Sequence, residues 1–480
     1  MLRGIAGWLL LIGVVYIPWH DGGVAPASTF VLSALVSAAT ILWIWGWFLG
    51  GRRPVLPAIC VGCTVALLLM GWWMTGNALR RYDSLTHSFF PARALWRKLP
   101  GSWDALASQT ATLNAGSMLL AMVIVCDLCR YTKWRQRFMY AVVLSGALIA
   151  LVGILQASTT DAIVPGLGVR HGTSFATFEY HGNAGTFLNL CYPMAFAVLL
   201  QVAHRTKKRS RRVAAALPVA LILVGAIVNV SRAAQAITVL LTVGLAVWTF
   251  WLGRGREEAE AARGWGWWQI AVPAVVLALM IAGAIATTRS RWSHLPEQLS
   301  EHNPRLLMWE VCGYWLGDAG PLGYGPGTYK LIYPTTPPAL LKELYPRWIV
   351  RPYVPGEPVS VWNHVYNDYL QYAFEWGWLG AVLWFVVLFG GWGLAASAGF
   401  RKSSVYMDRV IAGGVFFSLA GLYIHAAVDC PLQILGLQFY AGILLGLGWG
   451  SRYWGREAAP ETVVVTVARV GGALEHAKYN

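Results

Sequence analysis

The chain alternates long apolar runs with short polar, often basic, breaks. The runs are about 16–22 residues long and fall at 4–19, 28–49, 55–74, 106–127, 138–157, 183–203, 213–230, 233–253, 267–287, 377–396, 410–428 and 435–450. As helices, runs of this length approach or exceed what a hydrocarbon core of about 30 Å requires. The seventh and eighth come from one apolar stretch of about forty residues, which must fold back near Asn229-Val230-Ser231-Arg232 because a single helix would overshoot the core. The first run carries a lone Arg3 and no small-residue cleavage site, so it reads as a retained span rather than a removed signal. The pattern predicts an all-α polytopic membrane protein with about twelve transmembrane helices. Residues 1–287 would hold nine spans, 288–376 a long and partly helical loop, 377–450 the last three spans, and 451–480 a polar tail.

Composition agrees: 57% of residues are hydrophobic and 12% charged, against about 25% charged in an average globular chain. Water-soluble domains and disorder are excluded. A net charge of +15 invites a nucleic-acid partner, but the distribution speaks against one. Clusters at Arg52–Arg53, Arg130–Arg137 and Arg205–Arg212 sit between apolar runs, as cytoplasmic loops do. That bias puts both termini in the cytoplasm. Residues 75–105 (Arg80, Arg81, Arg93, Arg97, Lys98) and 288–376 then lie on the other side. A structured loop as long as the second is usually functional. The CxxC pairs Cys60/Cys63 and Cys126/Cys129 lie in or at the end of apolar runs and read as small packing residues.

Four stretches carry candidate chemistry, all at the expected outer ends of spans. Arg232 sits at the turn of the long apolar hairpin, where an interfacial arginine either snorkels or holds an anion. Pro304 opens a helix that puts Arg305 in its first turn and Trp309 one turn on, before the turn-forming Gly320, Gly323, Gly325 and Gly327. His364, Tyr366, Asn367 and Asp368 precede the tenth span, and a histidine at a water–membrane boundary is a candidate general base. Arg170, His171, Glu179, His181 and Asn183 lie just outside the sixth span. Their spacing matches no compact zinc pattern, so no metal is expected.

Taken in order, HGNAGTFLNL, SRAAQ, NPRLLMWEVCGYWLGDAGPLGYGPGTY and NDYLQYAFEWGWLG resemble the O-antigen ligase superfamily of bacterial envelope glycan enzymes, over about residues 110–450. The resemblance implies a C-type glycosyltransferase-like fold in the bacterial inner membrane, with its active site facing the periplasm. It implies transfer of a glycan from an undecaprenyl diphosphate donor to lipid A core, a polysaccharide or a protein, without cofactor. The family's arginines carry to Arg232 and Arg305, which would grip the diphosphate; a guanidinium does so bidentately and keeps its charge. Arg170, His181, Asn183, Tyr366, Asn367 and Asp368 would help bind substrate. The sequence departs from the family where a histidine commonly precedes the Asn of the last motif. Tyr366 stands there, and His364 lies two residues earlier. His364 is the first candidate base, with Asp368, His171 and His181 as alternatives. A polymerase of the same superfamily, or a transporter or flippase of envelope precursors, are the other readings. Transporters gather charge at the midplane of the bilayer rather than at span ends.

Overall fold

The structure is a computed structural model that describes residues 1–50, 53–86, 88–158, 174–252, 304–337, 363–401 and 405–454. The helices are α1 (Leu2–Tyr16), α2 (Pro26–Gly50), α3 (Ala58–Gly76), α4 (Ala105–Leu128), α5 (Thr132–Ser158), α6 (His181–Arg205), α7 (Arg209–Val228), α8 (Arg232–Leu252), α9 (Pro304–Leu316), α10 (Tyr329–Ile332), α11 (Asp368–Phe400), α12 (Tyr406–Ala426) and α13 (Leu435–Gly450). Among the described residues ten helices, α1 to α8 with α11 and α12, are long and apolar enough to cross a membrane. The protein is therefore a multi-pass membrane protein. The expected span at 267–287 lies outside the described residues. Among the described residues one two-stranded antiparallel ribbon, β1 (Arg80–Asp83) and β2 (Ser88–Pro91), accompanies the helices and is compatible with the expected all-α class. Its residues show no clean two-residue alternation, because it is not half-buried: most of its side chains are exposed.

Buried apolar side chains join α1 to α8 with α11, α12 and α13 in one core. Cys60, Cys126 and Cys129 are buried within it as free thiols. The tightest packing runs through α13, whose sixteen residues are all buried. A Cβ added at Gly442, Gly446 or Gly450 would press on the backbone of Met118, Met122 and Cys126 of α4, one helical turn apart each time. Small residues at four-residue spacing let two membrane helices approach this closely.

The 33-residue α11 breaks at Gly377, whose φ of 65° and ψ of 179° suit glycine alone. The break divides it into Asp368–Trp376 and a longer spanning part. It also frees backbone groups, and a glycine-rich loop takes them up. Tyr324 N–H donates to the Phe374 carbonyl (3.1 Å) and Gly325 N–H to the Glu375 carbonyl (2.9 Å), while Leu379 N–H donates back to the Pro321 carbonyl (3.2 Å). Gly320, Gly323, Gly325 and Gly327 all have positive φ, so the expected turn series is present. The kink thus seats the α9–α10 segment on the bundle.

Chain direction brings the starts of α4, α6, α8, α11 and α13, the end of α3 and the ribbon to one end of the bundle. The ribbon is tied there by Tyr82 N–H to Asp104 Oδ2 (3.0 Å) and by Arg80 stacked 3.8 Å over the Trp103 ring. Arg130, Arg135 and the Arg205–Arg212 cluster lie at the other end.

Candidate functional site

Arg305 occupies the second position of α9, directly after the helix-opening Pro304. Its Nη1 donates to the Val428 carbonyl (2.7 Å) and its Nη2 to the Tyr180 hydroxyl (3.2 Å). Nη2 also lies 3.6 Å from Asp429 Oδ2, and the guanidinium sits 5.2 Å from the centre of the Tyr366 ring. Three separate segments build this cluster. Tyr180 immediately precedes α6, and its hydroxyl donates to Asp429 Oδ2 (3.0 Å). Asp429 follows the end of α12, where His425 Nε2 stands 3.7 Å from the same oxygen. Tyr366 precedes α11.

The electrostatics follow from that wiring. Burial alone would raise the Asp429 carboxyl, but His425 and the Arg305 guanidinium overcome it and hold the group down at about 2. Asp429 is an anion at any physiological pH. Burial, with the nearby Cys430 and Asp429, pushes the Tyr366 phenol up to about 12, so it stays a neutral donor. Arg305 is held by this frame yet its side chain remains 34% exposed, against 4% for Asp429.

His364 faces a different environment. Tyr366 takes φ 58°, the chain turns there, and the imidazole two residues earlier lines an open pocket of about 120 Å3. The walls come from the first turns of α4, the first half of α11, the start of α13 and the turn before α10. His364 Nδ1 is 3.4 Å from Gln371 Nε2, which donates to Glu375 Oε1 (2.9 Å). Glu375 Oε2 in turn accepts from Gly327 N–H (2.8 Å), so the glycine loop holds the far end of the chain. Burial, then the positive charge of Lys330, lowers His364 to about 4. The ring is neutral at pH 7.

The other expected site residues scatter in role. Asn367 caps α11, its Oδ1 accepting from Tyr369 and Leu370 N–H, and its amide donates to the Ala427 carbonyl (3.2 Å). Asp368 is fully buried, with Leu432 N–H on Oδ2 (2.8 Å) and Gln433 Nε2 on Oδ1 (3.0 Å). Asn367 fastens the start of α11 to the end of α12, and Asp368, closed to solvent, fastens it to the turn before α13. Asn183 is buried in the first turn of α6. The His181 ring packs against Tyr180, and its carbonyl accepts from Asn229 Nδ2 (3.0 Å). Arg232 begins α8 on the Asn229–Ser231 turn, which packs on Gly185 of α6. Arg305, through Tyr180, and the turn before Arg232, through Gly185, both meet the start of α6. Glu179 and Asp318 are exposed. Arg170 and His171 lie outside the described residues. No group of three His, Cys, Asp or Glu suited to a metal occurs among the described residues.

Sequence reasoning missed Tyr180, His425 and Asp429, which complete the Arg305 cluster, and Glu375, Gln371 and Lys330, which surround His364. Asp429 carried a readable signal: it is the sole acid between Arg409 and Trp454, at the end of an apolar run. The chain matches no family model and no curated protein.

Proposed function

We propose that the protein is a membrane glycosyltransferase of the O-antigen ligase kind. It would move a glycan from undecaprenyl diphosphate to an envelope acceptor at the periplasmic face of the bacterial inner membrane. Lipid A core, a polysaccharide or a protein are the acceptor classes. The observation that carries this reading is the Arg305 cluster: an arginine oriented by Asp429, Tyr180 and Tyr366, partly exposed, at the end of the bundle opposite the Arg130–Arg137 and Arg205–Arg212 clusters. Basic clusters mark the cytoplasmic side, so this end is the outer one.

The chemistry asks for what these residues offer. The acceptor hydroxyl oxygen attacks the anomeric carbon, the bond from that carbon to the diphosphate oxygen breaks, and undecaprenyl diphosphate leaves with the electron pair. Arg305, with Arg232 at the start of α8, neutralises charge building on the leaving group. The neutral His364 imidazole takes the acceptor proton. A ring held near pKa 4 is in the correct form but is a weak base, and the incoming diphosphate charge would strengthen it.

The test is release of undecaprenyl diphosphate by purified protein given a lipid-linked glycan and an acceptor. Arg305→Ala and Arg232→Ala should each slow transfer roughly 10- to 150-fold, the worth of one charge-assisted hydrogen bond pair at about 1.5–3 kcal/mol. Lysine at either position should rescue poorly, because the bidentate fork is lost. Normal transfer by both alanine variants would remove the diphosphate assignment. Movement of intact donor across the bilayer without release would favour a flippase instead.

A further inference from the structure

The stretch between α3 and α4 carries five basic residues on the side of the bundle where such residues are ordinarily scarce. Two of them serve the ribbon itself: Arg80 lies over the Trp103 ring, and Arg81 shares a strand face with Asp83. The other three, Arg93, Arg97 and Lys98, are exposed, and among the described residues none of them makes an ion pair. Leu95, Trp96 and Leu99 stand exposed among them, the first two at 70% and 60%. This segment is held in place. Asn77, buried at the end of α3, donates from Nδ2 to the carbonyls of Trp96 (3.1 Å), Leu99 (3.2 Å) and Pro100 (3.1 Å), and its Oδ1 accepts from Trp96 N–H (2.7 Å). Trp73 Nε1 donates to the Pro100 carbonyl (3.0 Å), and Ser102 N–H to the Met74 carbonyl (3.1 Å). Gly101 lets the strands of this clamp close, since a Cβ there would collide with the Asn77 carbonyl.

The clamp also sets the level of the segment. The α3 helix is long and apolar enough to span, and its Val65, Leu69 and Trp72 are exposed at helical spacing, as a lipid-facing stripe is. Trp73, in the last turn of α3, has its ring centre 5.5 Å from that of Trp96. Residues 95–99 are therefore fixed at the end of a span, where hydrocarbon gives way to headgroups. Tryptophan and leucine beside arginine and lysine suit that boundary: the apolar side chains enter the acyl margin while the cations stay at the phosphates. A soluble acidic partner would account for the cations alone and leave three large apolar side chains in water.

We propose that residues 93–99 form a docking surface for anionic phospholipid headgroups, with Arg93, Arg97 and Lys98 on the phosphates and Leu95, Trp96 and Leu99 seated at the acyl boundary. The inference goes beyond the transferase reading and does not depend on it. Trp103 N–H donates to the Tyr324 carbonyl (2.9 Å), so the same docking sets the height of the glycine loop over the bilayer. The test uses the full chain in phosphatidylcholine vesicles with a minor share of phosphatidylglycerol. An environment-sensitive dye is placed at Leu95→Cys in a Cys63→Ala background, the other six cysteines being buried. A nitroxide near the headgroup end of the acyl chain is carried on one lipid or the other, and the dye reads its own neighbourhood, not lipid gathered at the Arg130–Arg137 or Arg205–Arg212 clusters. The nitroxide on phosphatidylglycerol should quench several-fold more than the same nitroxide on phosphatidylcholine, and high salt should shrink the difference. Arg93→Gln, Arg97→Gln and Lys98→Gln should each lower the relative affinity for phosphatidylglycerol about fivefold, until the two lipids are equal. Arg97→Lys should keep the preference. Equal quenching by the two lipids before any charge is removed overturns the proposal, as does a preference that survives the triple glutamine variant. A dye that neither lipid quenches places the segment in water and overturns it in favour of a soluble acidic partner.

Discussion

Two arginine–aspartate pairs sit at opposite ends of the bundle and are built in opposite ways. At the basic end Arg135 lies 3.0 Å from Asp408 with its side chain 3% exposed. It also donates to the Cys129 and Arg130 carbonyls and to Thr132 Oγ1, and stacks on Trp454. The arginine is enclosed and the acid is the more open partner. At the other end the order is reversed, with Asp429 enclosed and Arg305 a third exposed. An enclosed cation with both terminal nitrogens taken is a latch between α5 and α12. An enclosed anion steadying a partly open cation leaves charge available to something outside the chain. The same ion pair thus serves packing in one place and presentation in the other, and the partner that is buried decides which.

The comparison can be broken by experiment. Arg135→Ala should have the largest effect on stability, about 3–5 kcal/mol, because it strips a largely buried pair of one member. Thermal or denaturant unfolding in nanodiscs measures this, and transfer per folded molecule should hardly change. Arg305→Ala should do the reverse. Asp429 keeps His425 and the Cys430 N–H (2.9 Å), so the stability loss should stay below that of Arg135→Ala while donor binding and transfer collapse. Equal losses of stability in the two variants would erase the distinction. Acid supplies the smallest effect. His364 sits at about 4 when folded and near 6.5 when unfolded, so between those values the unfolded chain holds a proton that the folded chain lacks. Stability should rise with pH through that window, and His364→Gln should flatten the rise. The contribution of Asp429 behaves differently: it is present above the ordinary carboxylate range and is lost only as pH falls toward 2.

The helices were legible because a run of twenty apolar residues has few alternatives in a bilayer. The fold-back at Asn229–Arg232 and the glycine turns after α9 were legible for similar reasons: length forbids one long helix, and clustered glycines favour turns. The ribbon was not, since Arg80–Asp83 and Ser88–Pro91 are held by Asp104 and Trp103 rather than by their own pattern. Arg305 and His364 stood out as polar residues at span ends. Their surroundings did not. Tyr180, Tyr366 and Asp429 come from three segments, and nothing in any one of them shows that they meet. The break at Gly377 was equally hidden, because FEWGWLGAVLW reads as continuous helix until the loop that fills the break is known. Asn367 and Asp368 looked like site residues for the same local reason, yet their partners at Ala427, Leu432 and Gln433 tie them into the scaffold.

The sixteen residues of α13 have a consequence for how the protein is made. At about 1.5 Å per residue the helix is roughly 24 Å long, shorter than a hydrocarbon core of about 30 Å. Interrupted by glycines and glutamine, it is a poor candidate to leave the translocation machinery for lipid alone. Its bed on α4 was synthesised some three hundred residues earlier, so that groove must stand open, or be filled by something temporary, through most of biogenesis. Insertion of α13 is then a closing step. A chain truncated before Leu435 would be left with the backbone of α4 facing lipid, a state fit for quality-control proteolysis rather than for work.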